Sequence, residues 1–312
     1  MSSFLHQLSL AAPLYSLVLI GFTLARWGGW PKSVSDALSR FVFSVALPAF
    51  LFTMMSDFSK LPPVDVRLLI AYFGGCLLVF FIGRMAGWYL FRLDGVSQSV
   101  FALGGVFSNN VLLGIPLAKS ILGDGALPAV ALVLVFNALT LWILVTLSVE
   151  WARHGSFSLA GFTKTARNVL TNPIVASILA GALFGMLGLR LPALIEAPLI
   201  MIGQIAAPLS LIVVGMGLAE YGIREGWQQS MAICVLKLAV QPFAVWSLAR
   251  ALALPPLETQ VVVLLSSLAV GVNVYLMSRQ FQTMEAPVAT SLLLSTALSG
   301  VTTPLALTFI GS

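Results

Sequence analysis

The sequence predicts an all-α integral membrane protein, with ten transmembrane helices in two inverted five-helix repeats and the fourth and ninth helices broken. Three observations predict it. Only 9% of the 312 residues are charged and 59% are hydrophobic, against roughly 25% charged in soluble domains. Too little polar surface exists to cover a soluble globule, and the mean hydropathy of +1.01 agrees. Ten apolar stretches follow one another with short hinges between them, each near the ~20 residues that a bilayer crossing needs. A polar, glycine-containing interruption then recurs at corresponding places in the two halves.

The first stretch, 8–25, has no Lys or Arg before it and runs into Arg26 rather than a small-residue cleavage site. It reads as a retained helix and not as a signal peptide. Gly28-Gly29-Trp30-Pro31 separates it from the second, 34–55. Leu61-Pro62-Pro63 precedes the third, 66–90, and Gly123-Asp124-Gly125 divides the fourth, 96–122, from the fifth, 126–150. One longer connection, 152–168, carries Arg153, Lys164 and Arg167. It divides the chain into a first repeat (1–151) and a second (169–312). The second half holds stretches 169–188, 195–218 and 227–249, then Leu254-Pro255-Pro256, then 258–280 and 286–310.

The cations set the direction. The odd connections and adjoining helix ends hold Arg26, Lys32, Arg40, Arg84, Arg92, Arg153, Lys164, Arg167, Arg224 and Arg279. The even ones hold Lys60, Arg67, Lys119, Arg190 and Arg250. The odd connections, 152–168 among them, are therefore cytoplasmic. Both termini face outward, the periplasm for a bacterial inner membrane. Five crossings per half make the second half enter from the opposite side, so halves of like fold are inverted repeats. Ala46-Leu47-Pro48-Ala49 parallels Ala207-Pro208-Leu209, and Asn110-Val111 parallels Asn273-Val274 at nearly the same shift.

Several function classes fall away. The net charge of +5 comes from cations placed singly between apolar runs, without the stripe that nucleic acid requires. Cys76 and Cys234 lie alone in apolar runs, and His6 and His154 lie far apart. No cofactor or metal site is expected, and no catalytic pair for intramembrane hydrolysis.

The chemistry falls on the fourth and ninth stretches. The fourth reads Gly104-Gly105-Val106-Phe107-Ser108-Asn109-Asn110-Val111-Leu112-Leu113-Gly114-Ile115-Pro116. The ninth reads Ser266-Ser267-Leu268-Ala269-Val270-Gly271-Val272-Asn273-Val274-Tyr275. Asn and Gly are poor helix formers, and Pro116 disfavours helix at Ile115. The ninth has no proline between Gly271 and Asn273, which predicts a milder break. A broken helix exposes N–H groups with partial positive charge at the start of its second half. Two such ends facing each other make an anion site without a charged side chain. The plainer reading is that Asn and Gly only pack helices closely.

Lys237, near the middle of the eighth stretch, costs ~2.5–3.5 kcal/mol to insert. It reads as a counter-charge for substrate, as a fixed cation where a relative binds a mobile one, or as a lysine held structurally by carbonyls or deprotonated. Asn137, Gln204, Ser210 and Tyr275 are further candidates for a cavity lining. Arg84 is expected to snorkel to the interface. Gly83-x3-Gly87 and Gly181-x3-Gly185 predict close helix contacts.

Ser108-Asn109-Asn110…Gly114-Ile115-Pro116, Ala46-Leu47-Pro48 and Lys237-Leu238…Pro242, in their order across ten stretches, resemble the auxin efflux carrier family. Its bacterial members include malonate and malate carriers. The resemblance implies a fold related to the bile acid/sodium symporters. Spans one, two, six and seven form a scaffold and a homodimer contact there, and spans three to five and eight to ten form a moving transport domain. Broken spans four and nine cross in that domain beside the substrate. It places Asn109, Asn110 and Pro116 on one crossing strand and Asn273 on the other. Ser108, Gly114, Gly271, Tyr275 and Lys237 complete the expected binding set. The expected function is a secondary carrier of a small organic anion by elevator-type alternating access. The alternative is a sodium-coupled symporter of the bile-acid type.

Overall fold

The computed structural model describes residues 2–56, 65–154, 173–219 and 226–310. Most of the 152–168 connection, the Leu61-Pro62-Pro63 hinge, and Lys60, Lys164, Arg167 and Arg224 lie outside them. The described residues form twelve helices: α1 Ser2–Arg26, α2 Lys32–Ser56, α3 Arg67–Phe91, α4 Gly95–Gly104, α5 Asn110–Leu122, α6 Leu127–His154, α7 Pro173–Met186, α8 Ala193–Leu218, α9 Trp227–Ala251, α10 Pro256–Ser267, α11 Val272–Phe281 and α12 Glu285–Ile310. Six of them, α1, α2, α3, α8, α9 and α12, are long and apolar enough to cross a membrane, and α5, α7 and the start of α6 are shorter apolar helices. Large apolar side chains such as Leu90, Met186 and Leu194 face outward. Lipid accepts such a surface and water does not.

The helices pack in two groups. In one, α1 lies along α8 and α2 along α7, with α8 also against α2. The contact of α1 with α8 is backbone-close: Gly21 abuts the Ile212 carbonyl and Gly215 abuts the Val18 carbonyl, leaving no room for a Cβ at either. Gly181 of α7 sits in the same way against Phe52 of α2. In the other group, α3 and α9 pack on each other, α4 on α3 and α6, and α12 on α9 and α10. Here Gly83 lets Ala102 approach. The close contacts expected at Gly83 and Gly181 are present.

Three helices widen into a π turn, at Val42–Ala46 in α2, Asn110–Gly114 in α5 and Leu236–Val240 in α9. Each π turn is followed, after one residue, by a proline: Pro48, Pro116 and Pro242. Proline lacks an N–H and its ring presses on the carbonyl four residues back, and a wider preceding turn relieves both problems. This corrects the expectation at Pro116. Ile115 is helical, the chain runs through Pro116 without interruption, and the break lies earlier, at 105–109. The Leu112 carbonyl, which Pro116 leaves without its α-helical donor, accepts from the Ser210 hydroxyl of α8 at 3.1 Å. Ser210→Ala is expected to cost about 1 kcal/mol, read as a small fall in melting temperature with the fold intact.

Arg84 does not snorkel. It is half-buried in α3 and donates to the hydroxyls of Ser99 on α4 and Ser148 on α6, and to the Gly95 carbonyl at 3.3 Å. The α4 N-terminus beside it is capped by Asp94, whose carboxylate accepts from the Val96 and Ser97 amides at 2.9 and 3.1 Å.

Candidate functional site

The two interruptions meet. Residues 105–109 separate α4 from α5, and 268–271 separate α10 from α11. Ser108 and Val270 face each other in an antiparallel bridge. The Asn109 amide donates to the Ala269 carbonyl at 2.9 Å, and the Gly271 amide donates to the Phe107 carbonyl at 2.7 Å. Gly271 is needed for this approach. A Cβ there would lie 3.0 Å from both the Phe107 ring and the Ser108 carbonyl oxygen. The ninth stretch breaks as fully as the fourth, with Leu268 and Gly271 both extended. The pairing with 107–109 supplies backbone partners that make a proline unnecessary there.

Each second half-helix begins at this bridge. The first helical bonds of α5 run from Leu113 and Gly114 to the Asn109 carbonyl, and that of α11 from Val274 to the Gly271 carbonyl. The amides of 110–112 and of 272–273 precede them and carry the positive ends of the two half-helices.

The side chains around the bridge are mostly buried: Ser108, Asn109, Asn110, Gly114, Pro116, Gly271 and Lys237 are buried, while Asn273 and Tyr275 are half-buried. Asn110 donates from Nδ2 to the Tyr72 hydroxyl on α3 at 2.8 Å, with Asn137 Oδ1 of α6 at 3.5 Å. Among the described residues, Asn110 Oδ1 and Ser108 Oγ have no hydrogen-bond partner. Gly114 brings α5 to within van der Waals reach of Leu265 and Leu268.

Lys237 lies apart from the half-helix N-termini. Its Nζ donates to the Ser266 carbonyl at 2.5 Å, at the C-terminal end of α10, and the residue is 0% exposed. One turn on, Gln241 donates from Nε2 to the Val106 carbonyl at 2.9 Å, just past the end of α4. One face of α9 therefore serves the ends of both first half-helices.

Sequence reasoning missed a ladder of hydroxyls on α12. Ser291, Ser295, Ser299 and Thr303 recur every fourth residue and are all buried. Ser295 Oγ accepts from the Val270 amide at 3.0 Å, Thr303 donates to the Ser267 carbonyl at 3.0 Å, and Ser299 meets the Tyr15 hydroxyl at 2.9 Å. The four-residue spacing is the signal that could have found it.

A cleft of about 950 Å³ opens between α2, α7 and α8 on one side and the end of α5 and start of α6 on the other. Its walls include Lys119, Arg190, Asp124, Glu196 and Gln204. None of the nine expected site residues lines it. Gln204 does, whereas Ser210, Asn137 and Asn110 lie within the protein. Lys119, paired with Asp124 at 3.5 Å, also stands over the Phe50 ring of α2 at 5.4 Å.

The family model described as "Membrane transport protein" matches residues 8–307. The chain is 25% identical over 295 residues to a protein of Rhizobium meliloti named "Putative malonate transporter", covering 94% of this chain and 92% of that one. It is 22% identical over 299 residues to an uncharacterized transporter of Methanocaldococcus jannaschii, covering 91% of this chain and 92% of the other.

Proposed function

The chain belongs to the membrane transport protein family, that of the auxin efflux carriers, and on that premise we propose that it carries a small organic carboxylate bound at the crossing of its two broken spans. As a family member it is a multi-pass membrane transporter and not an enzyme. The finer reading has ten spans, with α4–α5 and α10–α11 as the fourth and ninth. The helix order of α1–α6, repeated in α7–α12, supports two inverted repeats. The two packing groups correspond to a scaffold of α1, α2, α7 and α8, which also forms the dimer contact, and a transport unit of the remaining helices. The excess of cations on the odd connections supports a plasma-membrane orientation with both termini outside.

The observation that carries the reading is the backbone bridge that brings the starts of α5 and α11 together. Their free amides offer partial positive charge to a carboxylate without the cost of a buried cation. Asn109, Asn273 and Tyr275 supply polar groups beside them. Asn110 contributes after its amide turns over: Tyr72 then donates to Oδ1, and Nδ2 is released toward the anion. A monoanion leaving a cell at 100 mV, inside negative, gains about 2.3 kcal/mol, so export needs no coupling ion.

The test is a thermal-shift screen of the purified protein against mono- and dicarboxylates. The relative's name puts malonate first, and the family resemblance adds malate and indole acids. At least one carboxylate is expected to raise the melting temperature in a saturable way. If cations or neutral solutes stabilise the protein and no carboxylate does, the anion reading is wrong.

A further inference from the structure

Helix α10 ends in the middle of the protein, and its last carbonyls carry the negative end of a helix dipole. In secondary transporters such half-helix ends coordinate a mobile cation. Here three of these oxygens are already engaged. Within the last turn, Leu264 accepts from the Ser267 hydroxyl at 2.9 Å, Ser266 accepts from Lys237 Nζ at 2.5 Å, and Ser267 accepts from the Thr303 hydroxyl at 3.0 Å. Lys237 is wholly buried, and among the described residues it pairs with no carboxylate. No Asp or Glu occurs anywhere in α9. A carbonyl just past the end of α4, that of Val106, is met by the neutral amide of Gln241. The charge is thus placed at one half-helix end only.

We infer that Lys237 is a tethered cation that fills the place of a coupling ion at the end of α10, making the carrier independent of sodium. The π turn at Leu236–Val240 contains Lys237. The ammonium reaches a carbonyl from a neighbouring helix, as a bound ion would. A tethered cation neutralises the helix end at every stage of the cycle and cannot be released. It therefore contributes no ion gradient to transport. The inference rests on the reading of the chain as a secondary carrier, but its test uses no carboxylate, so the two fail separately.

The experiment measures melting temperature in sodium, methylammonium or choline chloride at equal ionic strength, for the wild type and for Lys237→Ala. The wild type is expected to be indifferent to the cation. The variant is expected to melt lower in choline and to be restored by methylammonium or sodium, small enough to enter the space the side chain leaves. Lys237→Met, which keeps the volume without the charge, is expected to melt low in all three. Where the alanine variant does not fold in choline, its folded yield on solubilisation in each salt is the readout, with recovery expected only in the small cations. Selective stabilisation of the wild type by sodium overturns the inference, as does an alanine variant that no small cation restores.

Discussion

Asn110→Ala is expected to abolish carboxylate binding and transport while the protein still inserts and folds. The side chain is buried beside the bridge, and its amide is bound to the Tyr72 hydroxyl at 2.8 Å. Truncation leaves that phenol short of a partner, at a cost of about 1–3 kcal/mol. The melting temperature should therefore fall without loss of the folded state. Asn273→Ala, at a half-buried position, should lose binding with a smaller fall. Size-exclusion profiles report the fold, and thermal shift with malonate together with vesicle flux reports the site. If both variants transport like the wild type, the crossing is not where the substrate sits.

Gly271→Val should have the second large effect. Its Cβ would stand 3.0 Å from the Phe107 ring and from the Ser108 carbonyl oxygen, and 3.3 Å from the Phe107 carbonyl oxygen that now accepts the Gly271 amide. The strands at 107–109 and 269–271 must then part. Overpacking costs about 1–3 kcal/mol, and each lost backbone bond about 1 kcal/mol more. The expected result is a clearly lower melting temperature and no flux, with Gly271→Ala intermediate. A valine variant with wild-type melting and flux would show that the bridge is dispensable.

Much of this architecture was legible in the sequence because membrane helices obey a strong length and polarity rule. The interruptions were visible as Asn and Gly clusters in otherwise apolar stretches, and both fall where those residues stand. Pro116 misled, since a proline disfavours helix locally but a π turn and the Ser210 hydroxyl of α8 absorb the defect. That partner lies 98 residues away in the chain and leaves no trace in the local pattern. Lys237 stood out by its cost, but its acceptor on Ser266 is likewise remote. Arg84 looked like a snorkelling cation because its hydroxyl partners, Ser99 and Ser148, are ordinary residues in a sequence. The hydroxyls of α12 were overlooked for the same reason: serine in a membrane helix can satisfy its own backbone, and only the packing shows which ones reach outward.

The lacing of 107–109 to 269–271 limits how the molecule can work. Two backbone hydrogen bonds and a fitted glycine tie the interrupted spans into one piece. Pulling them apart to admit a solute would strand buried amides and carbonyls with no water to receive them. The junction therefore cannot open like a pair of jaws. On the carrier reading proposed above, access from either side of the membrane requires cargo and cradle to shift together past the group formed by α1, α2, α7 and α8.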